Sequence, residues 1–302
     1  MSGCPAKAAA GAADDPLLRW LLQTCRHQIA AGRRPVLGLN GPVGAGKTTL
    51  SRQLQQGCAA AGLHLAVASI DDAYWPWPER QQRLAGNPFG VTRVPPGSHD
   101  PHALLAPIQR WRDAPLSPDT AAAALALPRF DKRLRGGAGD RIDDWQGQAD
   151  AVLIEGWLIG CRPLPEDAIR RSSTFSALDR PAQTWLLQCN QALEDYQPLW
   201  EAIDGLVVLW PSSWDVPRRW RFQAEARQRR AGGGWMPAAE LHQLIRASLE
   251  SLPAELYQRP VLGMADWVRV LDRRRRCTWQ GSGDAWLDRT TQSSSPCSSA
   301  TG

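Results

Sequence analysis

The sequence predicts an α/β fold, a mainly parallel sheet with helices on both faces in three layers. Two observations predict it. Short apolar runs alternate with stretches of helical apolar spacing along most of the chain. One of those runs, Val36 to Asn40, leads straight into Gly41-x-x-x-x-Gly46-Lys47-Thr48, and a helical stretch starts at Thr49. Strand, glycine loop and helix in that order are the setting of a phosphate-binding P-loop, so the fold expected is that of a P-loop NTPase.

The loop carries the first chemical expectation. Gly41, Gly44 and Gly46 let the backbone turn its N–H groups inward around a polyphosphate, and the helix beyond adds its positive dipole end. Lys47 would reach the β- and γ-phosphates, and the Thr48 hydroxyl would sit on Mg²⁺. The nucleotide-binding set is Gly41, Gly44, Ala45, Gly46, Lys47, Thr48 and Thr49, with ATP and Mg²⁺ as the expected ligands.

Ahead of the loop, Asp15-Pro16 starts a helix, with Leu17, Leu18, Leu21, Leu22, Cys25 and Ile29 at helical spacing until Gly32. Beyond the P-loop helix, Leu63 to Ile70 reads as a second strand ending in Asp71-Asp72. Acidic residues at the carboxyl end of a parallel strand point into the crevice where ligands bind. Mg²⁺ or base work is expected of at least one of them.

Residues 71–150 hold no strong strand signal, which is too long for a simple crossover. Their turns and mixed charges suit a second-substrate pocket, placed at about 75–148. Ser98-His99-Asp100-Pro101 opens a helix running to about Trp111, and Pro128 to Arg133 and Gly136 to Arg141 follow. Asp100 also reads as the N-cap of that helix, and His99 as a solvated loop histidine. Ala151 to Ile154 is a strand ending in Glu155, the position of a Walker B acid that holds Mg²⁺ directly or through water. Asp150 lies at the other end of the same strand.

Thr184 to Cys189 reads as a strand, with a helix from Asn190 to Ala202, and Gly205 to Trp210 as another strand. The arginine-rich stretch Trp214 to Gln228, closed by Gly232-Gly233-Gly234, reads as a lid over the phosphates, bounded at about 211–236. Residues 237–252 form a helix and Trp267 to Leu271 a last strand. The run Arg273 to Arg276 reads as a solvated strand end. The domain layout is a flexible 1–14, a kinase domain over 15–280 and a disordered, Ser/Thr/Gly-rich tail over 281–302.

Composition narrows the class. The 302 residues are 43% hydrophobic and 22% charged, ordinary for a soluble globular protein. Net charge is +5 but scattered, which argues for anionic metabolites and against nucleic acid. Of 35 basic residues only Lys7, Lys47 and Lys132 are lysines. A chain that otherwise uses Arg marks its lysines as places for a compact point charge, so Lys132 becomes a candidate beside Lys47. The seven cysteines show no metal-ligand spacing, no run is long enough to span a membrane, and residues 1–13 make no signal peptide. A cytoplasmic protein is expected, with no membrane partner. The Asn-Lys-x-Asp of GTPases is missing, Asn190-Gln191-Ala192-Leu193 being the nearest stretch. A small-molecule phosphotransferase is the class that remains.

Seven segments together resemble one family. They are NGPVGAGKTT (40–49), SIDDAY (69–74), NPFGVTRVPPGSHD (87–100), PRFDKRLRGGAGDR (128–141), IEGWLIG (154–160), CNQALEDYQPLW (189–200) and WRFQAE (220–225). In this order they resemble the P-loop D-glycerate 3-kinases, relatives of uridine kinase, pantothenate kinase and phosphoribulokinase. Ala73 stands where the family's motif has an aromatic residue, and Phe130 where Tyr is common; the chain beyond about 260 matches weakly. The resemblance implies that D-glycerate and ATP give 3-phospho-D-glycerate and ADP. It implies Asp71 as general base or hydroxyl-orienting residue, Arg221 as the lid arginine at the transition state, and Thr48, Asp71 and Glu155 about Mg²⁺. For the acceptor's carboxylate the candidates are the positive donors His99, Arg129, Lys132 and Arg141, and Asp100 joins them in the substrate-binding set. A kinase of another small alcohol, or an ATP-binding regulator without turnover, stays open.

Overall fold

A computed structural model describes residues 15–116, 121–230, 232 and 236–293. The expected layout at 1–14 and 294–302 lies outside these residues.

The central sheet has six strands in the order β2-β5-β1-β6-β7-β8. They are β1 (Val36–Asn40), β2 (Leu65–Ser69), β5 (Ala151–Gly156), β6 (Gly205–Pro211), β7 (Trp267–Leu271) and β8 (Cys277–Gly281). All pairings are parallel except β7 with β8. Side chains of β1, β5 and β6 alternate between two cores, as a period of two requires. Val36, Val152, Ile154, Leu206 and Val208 enter one. Leu37, Leu39, Leu153, Val207 and Leu209 enter the other. Helices α1 (Pro16–Ala30) and α2 (Lys47–Ala60) cover the second core. The first is covered by α4 (His102–Asp113), α7 (Arg180–Ala192), α8 (Gln197–Glu201), α10 (Ala238–Ser251) and α11 (Ala254–Leu262). Helix α3 (Trp77–Arg83), the short α5 (Glu166–Arg170) and α6 (Ser173–Ser176), α9 (Val216–Arg230) and α12 (Gly283–Ser293) complete the set. The three-layer α/β/α expectation holds, and among the described residues no helix is long and apolar enough to cross a membrane.

Three expectations are corrected. Thr184 to Cys189 is not a strand: it lies inside α7. Asp179 caps Ala182 N–H, Pro181 sits in the first turn, and Trp185, Leu186 and Cys189 are buried at helical spacing. A short apolar run cannot by itself distinguish the two periods. The helix expected from Asn190 to Ala202 is a chain of pieces, the end of α7, a 3-10 turn Leu193–Tyr196 and α8. The tail begins with α12, which docks through Trp286 on Trp279, ring centroids 5.0 Å apart. Polar composition outweighed those two aromatics in the reading of the sequence.

The excursion expected at 75–148 holds α3, α4 and an antiparallel hairpin, β3 (Ala123–Asp131) with β4 (Asp140–Ala149), separate from the main sheet. Arg80 of α3 anchors it. Fully buried, its guanidinium donates to Thr92 O (2.8 Å), Trp75 O (2.6 Å), Ala138 O (2.9 Å) and Gly139 O (2.7 Å). Arg80→Met keeps the bulk and removes the buried guanidinium from all four carbonyls, of which Ala138 O keeps only the longer bond from Arg93 (3.4 Å) among those described. The variant is expected to lose about 3 kcal/mol of unfolding free energy in urea titration, several times the effect of an exposed-arginine control.

Candidate active site

Strand register assembles the site. Asn40 of β1 pairs with Gly156 of β5, and Ser69 of β2 pairs with Glu155. The carboxyl ends of three strands therefore lie side by side, and the segments leaving them (the P-loop, the 3-10 turn Ile70–Ala73 and the chain after Glu155) line one cavity of about 920 Å³. This is the crevice in which parallel α/β sheets hold ligands.

The P-loop has the local chemistry its glycines require. Gly44 and Gly46 take φ of 79° and 94°, left-handed values that favour glycine. Gly44 is also needed for space, because a Cβ there would meet the Arg221 backbone N at 2.7 Å. Gly41 is demanded by packing alone, with Leu209 Cβ 2.9 Å away. Lys47 at the start of α2 folds back to donate to Gly41 O (2.8 Å) and Pro42 O (3.3 Å). Ala45, Thr48 and Thr49 line the same cavity. The Thr48 hydroxyl donates to Glu155 Oε1 at 2.8 Å. Burial raises the pKa of Glu155 against the opposing Lys47 charge and Thr48 hydrogen bond.

The two aspartates after β2 diverge. Both line the cavity, but Asp72 is tied back to the backbone, accepting from Ser69 N–H and Phe130 N–H, both at 3.3 Å, and closing the 3-10 turn. Asp71 meets side chains there instead. Its Oδ1 accepts the Tyr74 hydroxyl at 2.8 Å and its Oδ2 the Lys132 ammonium at 2.6 Å. Behind it, His99 is buried and stacked on Tyr74 with centroids 4.4 Å apart. The Tyr196 hydroxyl accepts from Gly97 N–H (3.0 Å) and shares a hydrogen bond with His99 Nδ1 at 2.9 Å. His99 Nε2 lies 3.6 Å from Asp71 Oδ1. Burial would raise the Asp71 pKa, but Lys132 and His99 outweigh it and hold the carboxyl well below the usual carboxylate range. Burial lowers the His99 pKa despite its acidic neighbour.

Comparison with known proteins decides the family. No family model matches the chain. Over 231 residues, 73% of the chain, it is 30% identical to the chloroplastic D-glycerate 3-kinase of Arabidopsis thaliana. It spans 47% of that protein's length. It is 31% identical over 223 residues to the uncharacterized kinase mug58 of Schizosaccharomyces pombe, covering 70% of this chain and 76% of that protein. The solved D-glycerate 3-kinase of Cryptococcus neoformans superposes with a TM-score of 0.71 at 25% identity, over 89% of this chain and 99% of that one. The chain belongs to the P-loop D-glycerate 3-kinase family.

Within this family member, the residues expected from sequence separate into two groups. Gly44, Ala45, Gly46, Lys47, Thr48, Thr49, Asp71, Lys132, Glu155 and Arg221 line the common cavity. His99 lies directly behind Asp71. The other acceptor candidates lie off the cavity wall. Asp100 Oδ1 accepts Ala103 N–H at 3.3 Å, the capping role its position beside Pro101 also suggested. Arg141 is bound to Tyr74 O (2.5 Å) and Ala73 O (3.2 Å). Arg129 stands 4.0 Å from Asp72 with half its side chain in solvent. Asp150 caps His64 N–H at the opposite end of β5, 2.7 Å away.

The arginine-rich helix is α9. Its Arg221 bonds Glu225 at 3.1 Å, and the buried Glu225 also accepts Met236 N–H at 2.7 Å, tying the helix to the segment after the glycines. Of the expected hinge, Gly233 and Gly234 lie outside the described residues.

Three site residues were missed. Arg275 was read with its neighbours as solvated, yet its Nε donates to Gly44 O and its Nη2 to Trp220 O, both at 2.7 Å. It bridges the P-loop and α9 from a left-handed turn at φ 62°. Arg93 lines the cavity while donating to Gly137 O, and Tyr74 orients Asp71. No local pattern marks Arg275 among four consecutive arginines.

Thr48 and Glu155 supply oxygen donors at the mouth of the P-loop, which suits Mg²⁺. Among the described residues no group of three or more His, Cys, Asp or Glu is placed to hold a metal alone. Mg²⁺ in kinases needs only one or two protein ligands beside the phosphates and waters, so the donor set fits.

Proposed function

We propose that the chain is an ATP-dependent kinase that phosphorylates the 3-hydroxyl of D-glycerate. The observation that carries the reading is the pairing of Asp71 with Lys132 on the wall of the P-loop cavity. A carboxylate that can accept a hydroxyl proton thus stands beside an ammonium that can hold a small carboxylate, and the relatives named D-glycerate 3-kinase support that acceptor.

The protein groups divide the work of in-line transfer. The P-loop N–H groups and Lys47 hold the β- and γ-phosphates. Asp71 orients the acceptor hydroxyl and takes its proton, fixed by Tyr74 and backed by His99. Arg221 leaves Glu225 to meet the charge on the transferring oxygens. Thr48 and Glu155, joined by Asp71, would hold Mg²⁺, which would supply charge neutralisation on the phosphate oxygens. The partner is a small-molecule acceptor. Free thiols at Cys25, Cys58, Cys161, Cys189 and Cys277 support a reducing compartment such as the cytoplasm.

The test is ADP release from Mg-ATP across D-glycerate, L-glycerate, pantothenate, uridine and ribulose 5-phosphate, with products identified by NMR. Turnover with D-glycerate giving the 3-phosphate is expected. Turnover confined to another acceptor would keep the phosphate site and overturn the acceptor. No acceptor-dependent turnover would favour an ATP-binding regulator.

A further inference from the structure

In this structure both oxygens of Asp71 are engaged before any acceptor arrives. Oδ1 holds the Tyr74 hydroxyl and Oδ2 the Lys132 ammonium. The two partners differ in freedom. Tyr74 is buried, stacked on His99 and edge-on to Phe130 at 5.0 Å, so it cannot leave. Lys132 sits just past the end of β3, with half its side chain in solvent, and can swing. It is also one of three lysines in a chain with 35 basic residues. Arginine would clamp a carboxylate with a planar fork, whereas an ammonium on a flexible stem exchanges one carboxylate for another.

We propose that Lys132 latches Asp71 shut, and that the acceptor's own carboxylate releases the latch by drawing the ammonium away. The inference rests on the reading of the site as a hydroxy-acid kinase. Once Lys132 turns to the acceptor, Oδ2 loses the positive charge held against it and takes the hydroxyl proton more readily. The hydroxyl oxygen then bonds to the γ-phosphorus, the bond from that phosphorus to the β–γ bridging oxygen breaks, and ADP leaves with the electron pair. Water could enter the same step to give ADP and inorganic phosphate. With the ammonium 2.6 Å from Oδ2, its charge opposes uptake of water's proton there, so idle hydrolysis is held down until an anionic acceptor is seated. Lys132 is thus a positioning residue that makes a carboxylate on the acceptor a condition of turnover as well as of binding.

The discriminating experiment measures ATP hydrolysis with no phosphorylatable acceptor. Propionate serves as the probe, a three-carbon carboxylate without a hydroxyl. In the wild-type chain it is expected to raise phosphate release by about tenfold, a modest share of what a general base supplies. Lys132→Gln is expected to show the raised rate without propionate, to ignore propionate, and to need more D-glycerate for half-saturation. Hydrolysis unmoved by propionate in the wild type overturns the latch, and the wild-type arm needs no variant to fold. So does a Lys132→Gln enzyme whose only defect is a higher KM. D-glycerate is run in the same assay: propionate-stimulated hydrolysis with no phosphorylation of D-glycerate would keep the latch and overturn the acceptor.

Discussion

Lys47→Ala is expected to lower acceptor-dependent ADP formation by about 10³-fold while leaving the melting temperature near that of the wild type. The ammonium lies in the cavity at the start of α2, on the carbonyls of Gly41 and Pro42. Burial lowers its pKa, and Glu155 and Asp71 work against that burial. A bound polyphosphate adds negative charge at the same place and offers oxygens in exchange for the two carbonyls. During transfer, charge moves toward the β–γ bridging oxygen, which a fixed cation in a water-poor site stabilises far more than it stabilises bound ATP. The loss should therefore fall mainly on kcat. A coupled ADP assay with an ATP titration separates the two, and near-normal turnover would overturn the role given to Lys47.

Asp71→Asn is expected to cut kcat by about 10²- to 10⁴-fold with ATP affinity little changed, since an amide cannot take the hydroxyl proton. The amide is nearly the same shape, so Tyr74 can still donate to its oxygen. If only ATP binding suffers, Asp71 serves as a metal ligand instead of the base. The same variant has a stability signature. With its folded pKa held below the unfolded value, the Asp71 carboxylate stabilises the protein above about pH 3.9, and that contribution is lost as pH falls toward the folded pKa. Thermal melts across the acid range should fall less steeply for Asp71→Asn than for the wild type.

Much of the engine was legible in the sequence because it is local. The P-loop declares itself in fourteen contiguous residues, Val36 to Thr49, whose glycines, lysine and threonine each have one reason to be there. Glu155 and Asp71 were legible because each ends an apolar run, and the end of a parallel strand is a place with known chemistry. Within Asp71-Asp72 the sequence offered no choice. The 3-10 turn made it: both line the cavity, but Asp72 is turned back onto Ser69 N–H while Asp71 is left to meet Lys132. The misread segments are those where two periods fit a short run, as at Thr184 to Cys189, or where composition hides a docking face, as at Trp286. The acceptor side was the least legible. Arg141 and Arg129 sit beside Lys132 in one motif, and nothing in the spacing tells which faces the cavity and which ties down backbone.

By itself the sequence determined that this chain carries a glycine loop of the phosphate-binding pattern, places acidic side chains at the strand ends beside it and belongs to an α/β layered fold. Those properties follow from residues within a few positions of one another, where backbone geometry and side-chain period act directly. Only the tertiary structure decided which charges meet. Lys132 reaches Asp71 across 61 positions because the β3–β4 hairpin folds back over the end of β2, and Arg275 reaches Gly44 across 231 because β7 lies two strands from β1. A side chain's partner at that range is set by strand order and packing, and no local pattern of residues carries that information.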